Sequence, residues 1–579
     1  MTRSRVLRAA LAALLAVAFA PPAVARRAPA PQPSPPSAGV LIDNVNGYGF
    51  DRARALVRFT GLLIGRDGRV AKRLGADDKR PERLDFRLDG HGRTLLPGLV
   101  DAHGALIALG RRAAGPRLGE ARTIAALQTA LAAYARTHAT PRWIYGDGWP
   151  EGLLLARLPT AADLDAAVPD RPVVLDFGGG QGVLANSAAM AAAGIGPKTA
   201  APPGGRIERD ADGRPTGLFV GGAEALILAA LPKMLPRDRD EALMAAQDRL
   251  IRAGVTTVTD IGTGIDDWAA FRRAGDAGRL RVRIISYAAG IEPLLAIAGT
   301  GPTPWLYDGR LRMVGAALVA DGGLETRGAW LGADYADAAG ARGLRFLDDA
   351  RLRNLMSRAA MDRFQVAIAA TGDAAVAQVL DAIEEEADTY KGDRRWRIER
   401  ARLVAPGDLP RLTAHGTIVS LQPGREAADR PLAALRLGVA RAAAAPLWSA
   451  LPAGSLAFGS DSRADSPAPF ADMAAAINGG ADAAGALAAY TVGAAHAGFA
   501  EDQLGSLCPG EMADFVLVDR DPIADPGEAG ATRVIETWIG GKRLWVRGAH
   551  EQNVTPPPSE REGDPAIPRS ERSEPTDTR

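Results

Sequence analysis

Between residues 97 and 504, short apolar runs alternate with Ala- and Leu-rich stretches, and this alternation constrains the fold more than any other feature. The apolar runs are "LVDAHG" (99–104), "VTTVTDIG" (255–262), "RVRIISYA" (281–288), "MVGAALVADG" (313–322), "QVAIAATGD" (365–373), "WRIERARL" (396–403), "TIVSLQPG" (417–424) and "LAFGSDS" (456–462). Most precede a helical pattern, as "DAAVAQVLDAIEEEAD" follows the fifth. Strands this apolar fit a parallel sheet covered on both faces. Eight such strand–helix units predict an α/β fold, a TIM (β/α)8 barrel. The gap between the first two strands is too long for one connection. Residues 111–245 are therefore read as an insertion after strand 1, placed to cap the mouth, with strands "RWIYGDGW" and "PVVLDFGGG" of its own.

The flanks read differently. Residues 39–96 and 505–549 hold short β-like runs broken by Asp-Gly and Gly-Lys turns. Residues 1–25 read as a signal peptide: Arg3, Arg5 and Arg8, the apolar run "AALAALLAVAFA", then Ala23-Val24-Ala25 as a small-x-small cleavage site. Residues 26–38 form a Pro-rich linker, and residues 550–579 read as a disordered tail. The expectation is a periplasmic or secreted protein with no membrane attachment after cleavage. Cys508 is the single cysteine, so no internal disulfide can form. A net charge of +1 supplies no basic excess for neutralising phosphates, which argues against nucleic acid as a partner. A small molecule is the expected partner, and the sequence leaves a homodimer open.

In such a barrel, polar residues at the C-terminal strand ends are the catalytic candidates. These ends carry Asp101 and His103, Asp260, Tyr287, Asp321, Asp373, Glu399 with Arg400 and Arg402, Gln422, and Ser460 with Asp461. An Asp in such a place also caps the following helix. The insertion adds Trp143, Tyr145 and Trp149, which line the pocket or form the insertion's own core.

At these motifs the chain resembles the amidohydrolase superfamily, in its YtcJ-like branch (amidohydrolase family 3), which includes N-substituted formamide deformylases. "LLPGLVDAHG", "NSAAMAAAGI", "GGRIERDADGRPTGL", "GVTTVTD", "ADGGLETRGAWL", "RIERARLVAPGDLPRL", "FGSDS" and "AYTVGAAHAGFAEDQLGSLCPGEMADFVLVDRDP" carry the resemblance across nearly all of 39–549. It implies that the two flanking β segments pair into a small composite β-sandwich beside the barrel. It also implies a hydrolase of carbon–nitrogen bonds other than peptide bonds, using one or two divalent metals, usually zinc. The metal would activate a water whose proton an aspartate takes.

Carried over residue by residue, the implied ligand set is broken. The first histidine of the strand 1 pair is His103, but the second position holds Ala105. The mid-barrel lysine position falls at Ala317, the strand 5 histidine at Ala369 and the strand 6 histidine at Arg400. The strand 8 aspartate is kept as Asp461. Where relatives often carry a histidine in the insertion, this chain has Gln181. Of the six histidines, only His103 ends a barrel strand, and none of the six lysines does. The residues therefore lead to no expected metal, with zinc the cofactor if the family chemistry survives. A guanidinium stays protonated and cannot ligate a metal. Arg400 is expected to replace the metal's charge by pairing with Asp461 or Asp321. The catalytic candidates are Asp461, His103 and Arg400; the pocket candidates are Asp321, Gln181, Tyr287, Gln422 and Trp149. Two readings stand: the family hydrolase, and a catalytically dead homologue that binds a small molecule or acts as a scaffold. A third arrangement is a metal-free hydrolase with His103 as base, oriented by Asp101 or Asp461, and Arg400 facing an oxyanion.

Overall fold

The computed structural model describes residues 38–548, apart from 141, 148–156, 177–181, 444–446 and 462–466. The expected signal peptide, the linker before residue 38, the tail beyond residue 548, Trp149 and Gln181 lie outside the described residues.

Eight parallel strands follow one another around the barrel: Leu99–Gly104, Val255–Thr263, Arg283–Ala288, Leu311–Val319, Gln365–Ala370, Arg397–Arg400, Ile418–Leu421 and Leu456–Phe458. Each pairs in parallel with the next. The seam between the eighth and the first closes just past the strand ends. There Asp461 N donates to the His103 carbonyl at 2.8 Å. Ser460 N donates to Asp101 Oδ1 at 2.9 Å. Gly459 permits this approach, since a Cβ there would stand 2.4 Å from His103 N. Helices such as Pro236–Arg252, Asp349–Met361 and Asp373–Thr389 turn one apolar face to the strands. Met356, Val366, Val376 and Ile398 are among the residues of the resulting core.

Between the first and second strands the insertion builds its own five-stranded sheet. Its order is Gly205–Arg209, Pro215–Gly221, Val183–Ala185, Val173–Asp176 and Ile144–Gly146. Its two faces have separate cores, one around Leu127, Leu164 and Leu175, the other around Val174, Phe219 and Ile227.

The N- and C-terminal β segments join in one mixed sheet of eight strands. The link is the antiparallel pairing of Thr94–Pro97 with Phe515–Val518. The sheet curls so that its Val70–Leu74 edge returns to the segment leading into Phe515–Val518, with Val70 N donating to the Glu511 carbonyl at 2.8 Å. The curl encloses Ile42, Leu62, Phe515 and Trp538, residues far apart in sequence. A buried ion pair ties this sheet to the barrel. Arg283 Nε and Nη2 donate to the two oxygens of Asp514 at 2.7 and 2.9 Å.

Candidate functional site

The C-terminal strand ends open into a cavity of about 490 Å³. His103, Glu399, Arg400 and Asp461 form its polar floor. Ala105, Ala108, Ile261, Leu347 and Leu355 contribute to its apolar wall. Ala317 and Ala369 line it too. Every position where the resemblance places a lost barrel ligand therefore faces one space, together with the two retained residues. Three of those positions now hold a methyl group, which enlarges and dries the pocket.

His103 is held between two carboxylates. Its Nδ1 lies 2.7 Å from Glu399 Oε2, and its Nε2 lies 3.2 Å from Asp461 Oδ1. Burial opposes charge on the ring, but Asp461 and Glu399 outweigh it and raise the imidazole pKa to about 9. At neutral pH both ring nitrogens therefore carry protons and donate. Glu399 is fixed from behind: Arg397 Nε donates to its Oε1 at 2.8 Å. Burial pushes the Glu399 pKa up, but Arg397 and His103 more than reverse this and lower it. Arg397 also donates to the Ala102 carbonyl at 2.8 Å and the Tyr287 hydroxyl at 3.1 Å. The alternation of strand residues 397 and 399 puts both side chains on the barrel interior.

Asp461 gathers cations. Arg400 Nη2 donates to its Oδ1 at 3.3 Å, and Arg425 Nη1 donates to its Oδ2. The expected pairing of Arg400 with Asp461 is present. Arg425, from the helix Pro423–Ala428, is a member that sequence reasoning missed. Its signal was only its place one turn after the seventh strand. Arg425 also bonds Glu325 and, at 3.1 Å, Asp429. Asp461 sits at φ 53°, a left-handed conformation that turns its side chain back toward the seam and costs backbone energy for a non-glycine residue.

Several expected site residues lie elsewhere. Tyr287 is fully buried beneath the floor, bonded to Gln365 and Arg397, and does not line the cavity. Asp321 is also fully buried and outside it. Its oxygens accept the backbone N–H groups of Thr371, Gly372 and Trp330, each at 2.8 Å, so it organises loops. Burial pushes its carboxyl up to about 7 against those donors and the Arg400 charge. Gln422 lines a separate small pocket shared with Arg400, Arg402 and Arg425. Asp101 accepts from His103 N at 3.0 Å and from Ser460, so it fixes the seam and leaves the ring of His103 to Glu399. Asp260 accepts from Leu106 N at 2.7 Å, at the start of the first barrel helix.

Zinc needs three protein ligands from His, Cys, Asp or Glu around an open position. Among the described residues no group of three or more such side chains is arranged to hold a metal ion. Both ring nitrogens of His103 meet carboxylates, and both Asp461 oxygens meet guanidinium groups. Two fixed guanidinium charges at the one retained carboxylate repel a dication. The residues present do not fit a divalent metal.

Comparison with known proteins places this geometry in a lineage. Residues 88–544 match the model of the amidohydrolase family. The chain is 29% identical to YtcJ of Bacillus subtilis (strain 168) over 86% of this chain and 97% of that protein. It is 25% identical to the N-substituted formamide deformylase of Arthrobacter pascens over 79% of this chain and 90% of that protein. A solved structure described as an uncharacterized metal-dependent hydrolase from Pyrococcus furiosus superposes with a TM-score of 0.63 at 26% identity. That match covers 84% of this chain and 99% of the other.

Proposed function

Because the chain belongs to the amidohydrolase family, we propose that it keeps the family's barrel-mouth pocket as a small-molecule binding site and has given up metal-dependent hydrolysis. The observation that carries this reading is the pair of guanidinium groups on Asp461. Where a metal site would need open donors, this chain has closed its donors on cations. Removing a dication from a site that keeps buried carboxylates leaves costly negative charge. Arg400 and Arg425 compensate that charge from within the chain. The wall of small and branched apolar residues suits an organic molecule with an apolar body. The Arg-rich N-terminus and its small-residue cleavage pattern support export, so the binding role is assigned to the periplasm or the exterior.

Hydrolysis of carbon–nitrogen bonds is the second reading, supported by the family relationship and by the retained His103–Glu399 pair. His103 as a base would have to lose a proton first, and it holds that proton up to about pH 9. Any metal-free hydrolysis through His103 should therefore rise with pH across that value.

Elemental analysis of the purified mature protein, grown with zinc and manganese supplied, tests the main reading. Far less than one metal per chain is expected, with binding of an apolar ligand but no turnover of amides. Stoichiometric tightly held metal would overturn it. The intact mass of the exported protein should begin after Ala25.

A further inference from the structure

A second cavity, of about 210 Å³, shares no lining residue with the cavity at the barrel mouth. It is built from the segment after the sixth strand and from the helices after the seventh. Leu403, Leu409, Leu437 and Leu447 contribute its apolar wall. Its charged groups are Arg402, Glu426 and Arg441. Arg402 is a strand-end candidate that the mouth does not use.

The two guanidinium groups are only partly compensated. Arg402 Nη1 donates to Glu426 Oε2 at 3.1 Å, while its Nε is buried with no acceptor among the described residues. Arg441 Nε and Nη2 donate to the Leu437 and Asp334 carbonyls at 2.8 and 2.6 Å, which are neutral acceptors. The Asp334 carboxylate acts on Arg441 through space and is itself bonded to Arg342. Among the described lining residues Glu426 is the one acid. Arg425 and Arg430 also act on it, and Arg425 is bonded in turn to Glu325, Asp429 and Asp461. Burial pushes the Glu426 carboxyl up to about 7 against these cations, so it is only partly ionised at neutral pH. Two guanidinium charges thus face one partly neutral acid in a largely apolar cavity, and a bound anion would repair that imbalance.

We propose that this cavity is a second binding site, for a short apolar carboxylic acid: Arg441 and Arg402 hold the carboxylate, and the hydrocarbon part lies against Leu403, Leu409, Leu437 and Leu447. The site is independent of the reading of the barrel mouth. A planar guanidinium matches a carboxylate in shape and can offer it two parallel N–H donors. The apolar wall favours an organic acid over an inorganic anion. Glu426 is a positioning residue that competes with the ligand for Arg402. An arriving carboxylate favours the protonated form of Glu426. Binding at neutral pH therefore takes up a proton, and affinity falls as pH rises through the Glu426 midpoint.

The test uses three probes of one shape: hexanoate, hexanamide and hexylamine. Their binding to the mature protein is measured by calorimetry at about pH 6 and about pH 8. At the lower pH hexanoate is expected to bind roughly tenfold or more tighter than hexanamide, with hexylamine weakest. Its affinity should fall several-fold at the higher pH. Arg441→Gln should erase the advantage of hexanoate while hexanamide still binds, which shows that the variant is folded. Ala442→Phe fills the cavity from the helix Val439–Ala442 and should remove the binding of both. Glu426→Gln should tighten hexanoate at the higher pH and flatten the pH dependence, a gain that a merely structural role would not give. Unchanged affinity in that variant overturns the competing role of Glu426. Equal affinity for the three probes, or no binding of hexanoate, overturns the inference. So does hexanoate binding that survives both Arg441→Gln and Ala442→Phe, which would put the ligand elsewhere. The barrel-mouth reading stands or falls separately, on the metal analysis.

Discussion

Glu399→Gln removes one of the two carboxylates that hold His103, and its effect can be worked out in advance. The His103 and Glu399 side chains are 7% and 1% exposed, so solvent screens their 2.7 Å contact little. Held at about 9 against an ordinary value near 6.5, the imidazolium is stabilised by about 3 kcal/mol relative to the unfolded chain. Glu399 and Asp461 share that amount. Because the two carboxylates first overcome the cost of burial, the substitution should forfeit more than half of that net amount, more than roughly 1.5 kcal/mol, and lower the His103 midpoint by more than about one pH unit. Because the folded value is raised, the stabilisation is fully present below about pH 6.5 and is lost as pH rises through about 9. In the variant the same loss should be complete more than about one pH unit earlier. A second cost appears at every pH. Arg397, fully buried, loses the carboxylate charge that compensates it, and the Ala102 carbonyl, the Tyr287 hydroxyl and a glutamine oxygen offer it neutral acceptors. Stranding a buried charge costs about 3–5 kcal/mol, so the melting temperature should fall clearly. Ring-labelled histidine NMR can follow the titration, since the chain has six histidines and a His103→Asn spectrum identifies the one signal. A His103 midpoint near 6.5 in the unaltered protein, or one that Glu399→Gln leaves in place, would refute the two-carboxylate reasoning.

Three further substitutions probe the frame around the site. Asp514→Asn strands Arg283 at the joint between barrel and mixed sheet and should cost about 3–5 kcal/mol; an unchanged thermal transition would mean that the pair bears no load. Gly459→Ala pushes a Cβ to within 2.4 Å of His103 N, so it should open the barrel seam, cost roughly 1–3 kcal/mol and broaden the His103 resonance. If it melts with the parent and the resonance stays sharp, the seam is looser than described. Asp321→Asn turns one acceptor into a donor against the N–H groups of Thr371, Gly372 and Trp330, and about 1–3 kcal/mol of stability should go with it. Hydrogen exchange at those three amides reads the effect directly, and unchanged protection would contradict the role given to Asp321.

Much of this architecture is written locally in the chain. An apolar run such as "QVAIAA" can satisfy its backbone and bury its side chains only inside a covered sheet, so the barrel strands are legible one at a time. The closing pair of the site is legible too, since His103 and Asp461 end the first and eighth strands, and a barrel makes those strands neighbours. Arg400 could likewise be sent to the mouth by counting along one strand, but the choice of Asp461 over Asp321 came from the packing. Direction and partner choice are another matter. A residue at a strand end faces the cavity or the core according to a one-residue difference in register, and Tyr287 went into the core, where Gln365 and Arg397 satisfy its hydroxyl. Asp321 went to loop amides for the same reason that any buried carboxylate seeks donors, and two of its three donors lay some 50 residues away in sequence. Arg425 comes from a helix whose local sequence carries no mark of a site, and only its pairing with Asp461 gives it one. The sequence by itself determined the strand order, the seam and the lack of any histidine but His103 at the barrel strand ends, because those follow from periodicity and residue type. Tertiary structure alone decided which carboxylate meets which cation, because ion pairs across a barrel depend on distances of a few ångströms that no local pattern encodes.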